Sequence, residues 1–155
     1  MPVKFSRDVL KGTTKNTAGD FNQQSRFTVE IDGVTQGGIH KVDGLDHEHE
    51  MVAYQDADDH FQRIRPGRQK VGTLVLERDW SSSTEFYDWF KTVYEGNVQR
   101  KSISIVYLTD DGGESTRVNL HECWPKKWKL SGLNSRTSGH VSETLEIMYE
   151  KIDFA

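Results

Sequence analysis

Two histidines separated by one residue are the first place in this chain where chemistry could reside. His47-Glu48-His49 lies in a segment with strand character, and on a strand residues i and i+2 share a face. Asp43 or His60 would be a third donor, and zinc accepts imidazole and carboxylate ligands. The spacing lacks the helical His-Glu-x-x-His arrangement, and no complete ligand set accompanies the pair. Cys123 and His121 have the spacing of a nucleophile and base on one strand face, but no orienting third group or oxyanion donor is apparent. Asp56, Asp58 and Asp59 resemble part of a calcium loop without its glycine and terminal glutamate. Ser81-Ser82-Ser83 precedes a helical pattern and reads as a cap. Gly112-Gly113 reads as a turn. No catalytic residue, metal ligand or cofactor site is therefore assigned.

What remains is charge pattern. Arg63, Arg65, Arg68 and Lys70 follow Asp56, Asp58 and Asp59 within one stretch. Opposite charges so close together suit pairing with a second copy of the chain better than binding a polyanion. The formal net charge is −4 and the pI is near 5.9, unlike a duplex DNA binder with its basic stripe. Trp80, Trp89, Trp124 and Trp128 are read mainly as packing between a helix and a sheet.

The elements that must position these residues follow from periodicity. Phe27, Val29 and Ile31 alternate with Thr28 and Glu30, and Asp32-Gly33 offers a tight turn. Ile39 to Val42 is a short strand opened by Gly37-Gly38. His47 to Tyr54 is another, with an apolar second half. Gln55 to Gln69 reads as a long charged loop and Lys70 to Arg78 as a single strand. Ser82 and Glu85 have capping-box spacing. Phe86, Trp89, Phe90 and Val93 then form a helical stripe of about twelve residues that ends at Gly96. Ser102 to Tyr107, Thr116 to Trp124, Lys127 to Leu130 and Val141 to Tyr149 complete about eight strands. A turn at Asp110 to Gly113 joins the first two of these.

The expected fold is mainly β: two packed antiparallel sheets, a sandwich or partly open barrel, with one flanking helix. The 155 residues make one domain over residues 26–155, preceded by a flexible polar arm over residues 1–25. Hydrophobic residues amount to 34%, a thin core for this length, as expected where one sheet face meets water. One cysteine allows no intrachain disulfide. No long apolar run predicts a membrane span or signal peptide, so synthesis in the cytoplasm is expected.

The ordered motifs resemble a known family. Phe27-Thr28-Val29-Glu30-Ile31-Asp32-Gly33 is followed by Gly37-Gly38-Ile39, Gly44-Leu45 and Glu48-x-Glu50. Next come Pro66-Gly67, Leu74-Val75-Leu76, Phe86-Tyr87-Asp88-Trp89-Phe90 and Ser104-Ile105-x-Tyr107-Leu108. Trp124-Pro125-Lys126-Lys127-Trp128 and Glu143-Thr144-Leu145-Glu146-Ile147-x-Tyr149-Glu150 close the series. Over residues 26 to 152 this resembles phage tail-tube proteins of the T-even type, including inner-tube proteins of extracellular contractile injection systems. Glu77-Arg78-Asp79-Trp80 departs from the Arg-Gly turn of many relatives.

The resemblance implies hexameric rings stacked into a hollow tube inside a contractile sheath. Contraction would drive the tube through a target envelope, with effector cargo or phage DNA in the lumen bound without sequence preference. It implies sheath and baseplate or spike proteins as partners, no stable membrane insertion and no enzymatic activity. The chain would be part of a phage tail or a phage-tail-like particle, released or not. Thr28, Glu30, His47 and His49 are candidates for the lumen wall. Asp56, Asp58, Asp59, Arg63, Arg65, Arg68 and Lys70 are candidates for the oligomer interface. A baseplate adaptor or tube-initiating ring is the near alternative, and haemolysin-coregulated tube proteins are further relatives. A small metal-dependent hydrolase using His47, His49 or Cys123 is the alternative of another class. A monomeric sandwich that binds a ligand through its tryptophans is a third.

Overall fold

The computed structural model describes residues 22–155. The expected arm, residues 1–25, thus lies outside the described residues up to position 21. Ten strands and one helix follow: β1 (Phe27–Ile31), β2 (Val34–Gln36), β3 (Ile39–Asp43), β4 (His47–Tyr54), β5 (Arg63–Val71), β6 (Thr73–Asp79), α1 (Glu85–Tyr94), β7 (Lys101–Leu108), β8 (Glu114–Leu130), β9 (Ser142–Met148) and β10 (Lys151–Phe154). Three strands were not expected, β2, β5 and β10, and the two expected strands Thr116 to Trp124 and Lys127 to Leu130 are one continuous strand, β8. No helix among the described residues is long and apolar enough to cross a membrane.

The main sheet runs β2-β1-β7-β8-β9-β6-β3, with β10 also on β8, and every pairing is antiparallel. The 17-residue β8 turns this path into two leaves. Up to Cys123 it pairs with β7, and from Trp124 to Leu130 it pairs with β9. At the junction Glu122 has φ 56°, and the register steps from Ile103↔Leu120 to Lys101↔Cys123. An extra residue in one strand bends it and lets it pass between sheets. Val29, Ile31, Ile103, Ile105 and Leu120 of one leaf meet Leu74, Leu76, Leu145 and Ile147 of the other in a single core. The result is two packed antiparallel layers and not a closed barrel, as the sequence predicted.

The two-residue turn Asp32-Gly33 forms as expected, with φ 50° and 79° joining the paired Ile31 and Val34. These left-handed angles match the twist of the strands they connect.

Three expectations need correction. The helix is ten residues long and begins after Thr84, which makes no side-chain cap bond. Ser82 has φ 65° and lies outside the helix, so the Ser82–Glu85 capping box does not form. Ser83 Oγ instead accepts a long bond from the Glu85 N–H at 3.4 Å. The stop is correct: Gly96 (φ 81°) donates to Val93 O and Asn97 to Thr92 O, a Schellman end. The strand read as Lys70 to Arg78 is broken at Gly72. Finally, the loop read as Gln55 to Gln69 shrinks to residues 55–62, because Arg63 to Val71 pairs with β4.

Candidate functional site: an exposed β ribbon

β3 and β6 pair with each other to Asp43↔Val75. The chain then leaves the sandwich at Gly44, forms the β4–β5 hairpin and returns at Gly72. β4 and β5 pair with nothing else among the described residues. The departure point is built without spare room. Gly44 has φ +90°, and a Cβ there would lie 1.8 Å from Thr73 O. A Cβ on Gly72 would lie 1.8 Å from Asp46 Oδ1. Gly44 therefore requires glycine, and any larger residue at position 72 would displace the Asp46 carboxylate and crowd Gly44 O at 2.9 Å. Tyr149, buried at the end of β9, closes this corner. Its hydroxyl lies 3.0 Å from Gly44 O and 2.9 Å from Asp46 O and accepts from the Asp46 N–H at 3.3 Å.

The ribbon's surface is not that of a solvated hairpin. Met51 is 67%, Phe61 75% and Ile64 62% exposed, and Val52 and Tyr54 are exposed too. Beyond a bulge at Gly67-Arg68 opposite Glu50, pairing runs Met51↔Pro66, Val52↔Arg65, Ala53↔Ile64 and Tyr54↔Arg63. Alternation then puts Met51 and Ile64 on one face, and Val52, Tyr54, Arg63 and Arg65 on the other. Arg65 stacks its guanidinium 4.5 Å from the Tyr54 ring.

The charged candidates cluster here, as expected, but on strands as well as a loop. Arg63 Nε donates to Asp59 Oδ2 at 2.8 Å. That bond, and a second from the Phe61 N–H, hold the Asp59 carboxyl below its ordinary range. Lys70 meets Glu50 at 3.0 Å, which pushes its ammonium pKa up. Asp56, Asp58, Arg65 and Arg68 are exposed. Such surface pairs stabilise little on their own.

His47 and His49 also lie on this ribbon, on one face as predicted, with ring centroids 5.6 Å apart. Gln69 hydrogen-bonds His47. No group of three or more His, Cys, Asp or Glu side chains converges among the described residues. The other lumen candidates, Thr28 and Glu30, sit apart from these on β1, on the outward face of the first leaf. Glu30 accepts from Arg117 Nη1 at 2.6 Å, and Ser104 Oγ donates to Asn119 at 2.7 Å on the neighbouring strands. Around the buried Val106, that face carries Thr28, Glu30, Ser104, Arg117 and Asn119 on three strands.

Cys123 and His121 do not share a face. The β8 bulge at Glu122 turns Cys123 into the core, where burial pushes the thiol up to about 12. His121 stays half-exposed, 3.0 Å from Asp153. A thiol this buried and protonated is a poor nucleophile.

One cluster escaped the sequence reading. Glu143 is fully buried. It accepts from Arg78 Nε at 2.7 Å and from Trp128 Nε1 at 3.0 Å, and the Arg78 guanidinium lies 3.7 Å from the Phe86 ring. The clamp joins β6, β8, β9 and α1. The Glu77-Arg78-Asp79-Trp80 departure is thus where a charge enters the core. Its signal was parity: Arg78 shares a strand face with Leu74 and Leu76, and Glu143 with Leu145 and Ile147. The exposed apolar side chains of the ribbon were legible only as ordinary strand residues.

The family model for the T4-like virus tail tube protein gp19 matches residues 23–153. Among solved structures, a chain of the extracellular contractile injection system PVC sheath-tube complex in its extended state has a TM-score of 0.80 at 18% identity, over 88% of this chain and 93% of that one. The tube-terminating cap of the anti-feeding prophage gives 0.80 at 16% identity, over 92% and 97%. Hcp1 from Flavobacterium johnsoniae gives 0.52 at 19%, over 83% and 94%. At these identities the likeness is one of fold. No curated protein matches the sequence.

Proposed function

Because the chain belongs to the T4-like virus tail tube protein family, we propose that it is the inner-tube subunit of a contractile phage tail or phage-tail-like injection system. Six copies form a ring and rings stack into a hollow tube. The observation that carries the reading is the β4–β5 ribbon, with Met51, Phe61 and Ile64 uncovered in the single chain. Large apolar side chains grouped on a projecting hairpin mark a surface meant for a partner, and a hairpin alone is marginally stable in water. Asp56, Asp58, Asp59, Arg63, Arg65, Arg68 and Lys70 set which copy it meets and in what register.

In this reading the open edges at β2 and β3 pair with neighbouring copies, and the ring closes because the head-to-tail rotation closes. Thr28, Glu30, His47 and His49 face the aqueous bore, where effector cargo or phage DNA passes without sequence-specific contacts. The sheath and the baseplate or spike are the outer partners. The subunit is made in the bacterial cytoplasm, does not insert stably into a membrane and performs no catalysis. A ring that starts or ends the tube is the second reading, favoured by the equal likeness to a tube complex and a cap.

Negative-stain microscopy across a concentration series tests the proposal. Hollow tubes with six-fold end views are expected, and rings that never stack would favour the second reading. Changing Arg63, Arg65 and Arg68 together to Glu should abolish stacking while the circular dichroism spectrum stays that of the parent. Normal tubes from this triple variant would refute the ribbon's role.

A further inference from the structure

Near the base of the ribbon, one face carries three side chains with nitrogen and oxygen donors side by side. His47 and His49 are both exposed, and their ring centroids lie 5.6 Å apart. Register places Gln69 of β5 directly across from His49, so all three share a face. Gln69 also hydrogen-bonds His47. The amide N–H donates and the ring Nε2 accepts, so the His47 lone pair points at Gln69. Glu48 and Lys70 form the register pair between these residues and stand on the other face, where Lys70 meets Glu50 at 3.0 Å. The charge of Lys70 is thereby kept off the imidazole face.

We propose that His47, His49 and Gln69 hold one divalent transition ion of the zinc, nickel and copper class across the base of the ribbon. Imidazole nitrogen suits these ions, whereas magnesium and calcium require oxygen. A metal bonds an imidazole nitrogen at about 2.0–2.1 Å, so two rings on one tetrahedral ion have centroids roughly 5 Å apart. The observed separation leaves only about half an ångström to close. A half-turn of the Gln69 amide brings its oxygen to where its nitrogen stands, which supplies the third donor that the histidine pair lacked in the sequence. Water completes the shell. The donor strand is fixed before the ion arrives. Asp46 precedes His47, and its backbone N–H and O both meet the Tyr149 hydroxyl. The Gly72 N–H donates to Asp46 O at 3.3 Å. An ion so held ties β4 to β5 in a hairpin that is otherwise two-stranded and marginal in water. It does so whether or not the protomer builds a tube.

Calorimetric titration of the chelator-treated full chain with nickel chloride tests this. One ion per protomer with micromolar affinity is expected, and Tm should rise as nickel is added. His47→Ala and His49→Gln are changes at exposed positions. Each should weaken binding at least about tenfold, the smallest effect of losing even an outer partner of a metal ligand. His40→Ala is the control, because His40 Nε2 lies 3.8 Å from Glu77 and 3.7 Å from Asp79 on a different strand pair; it should leave the affinity unchanged. Millimolar magnesium should not compete. No binding at millimolar nickel, parental affinity in His49→Gln, or loss of binding in His40→Ala would each overturn the proposal.

Discussion

Removing one member of the Arg78–Glu143 pair should be strongly destabilising. Arg78 is 9% and Glu143 0% exposed in their side chains, with Nε and Oε1 2.7 Å apart, so water cannot replace either partner. Arg78→Met leaves the Glu143 carboxylate with only the Trp128 indole as donor. Losing one partner of a buried pair costs about 3–5 kcal/mol. At roughly 2–4 °C per kcal/mol for a chain of this size, Tm should fall by about 6–20 °C. Arg78→Met with Glu143→Met should recover much of that, because no buried charge is left alone and the unpartnered Arg78 Nη2 goes with it. The assay is thermal unfolding followed by circular dichroism on both single variants and the double. A Tm for Arg78→Met within about 2 °C of the parent, or a double-variant loss equal to the sum of the single losses, would refute the reasoning.

Gly44→Ala should cost about 1–3 kcal/mol from its left-handed backbone alone, and more from the approach to Thr73 O. A Tm within 1 °C of the parent, a shift of less than about 0.5 kcal/mol, would show that the ribbon's base is not tightly built. Tyr149→Phe leaves Gly44 O, Asp46 O and the Asp46 N–H without their hydroxyl; a loss of about 1–3 kcal/mol is expected in urea unfolding. The Cys123 thiol should label with a thiol reagent only as fast as the protein unfolds. Its pKa is raised from 9.0 to about 12 in the fold, so the unfolded chain loses this proton first. Stability should therefore hold below pH 9 and fall between pH 9 and 12. A Cys123→Val variant with the same alkaline slope would contradict that assignment.

Much of the architecture was legible because strand and helix patterns are local. Alternation in Phe27–Ile31 and in Val141–Tyr149, and the stripe of Phe86, Trp89 and Phe90, each need only a few neighbouring residues to be seen. The ordered motifs carried the family, and the charge cluster of Asp56 to Lys70 was visible as a cluster. Where those charges sit was not. That Arg63 to Val71 is a strand depends on pairing with His47 to Tyr54 across the hairpin, and the two breaks at Gly44 and Gly72 become intelligible only when each is seen against Thr73 and Asp46.

The same holds for the candidate chemistry. One residue of bulge at Glu122 decided that Cys123 faces the core and His121 does not, and a bulge follows from cross-strand register, which no single segment encodes. The charge on Glu143 is tolerable in the interior only because Arg78 and Trp128 arrive from strands distant in sequence. Local sequence determined which segments are strands and which faces are apolar. Tertiary structure decided which charges are buried, which apolar side chains are left uncovered, and where the sandwich stays open, because burial depends on what the rest of the chain brings alongside.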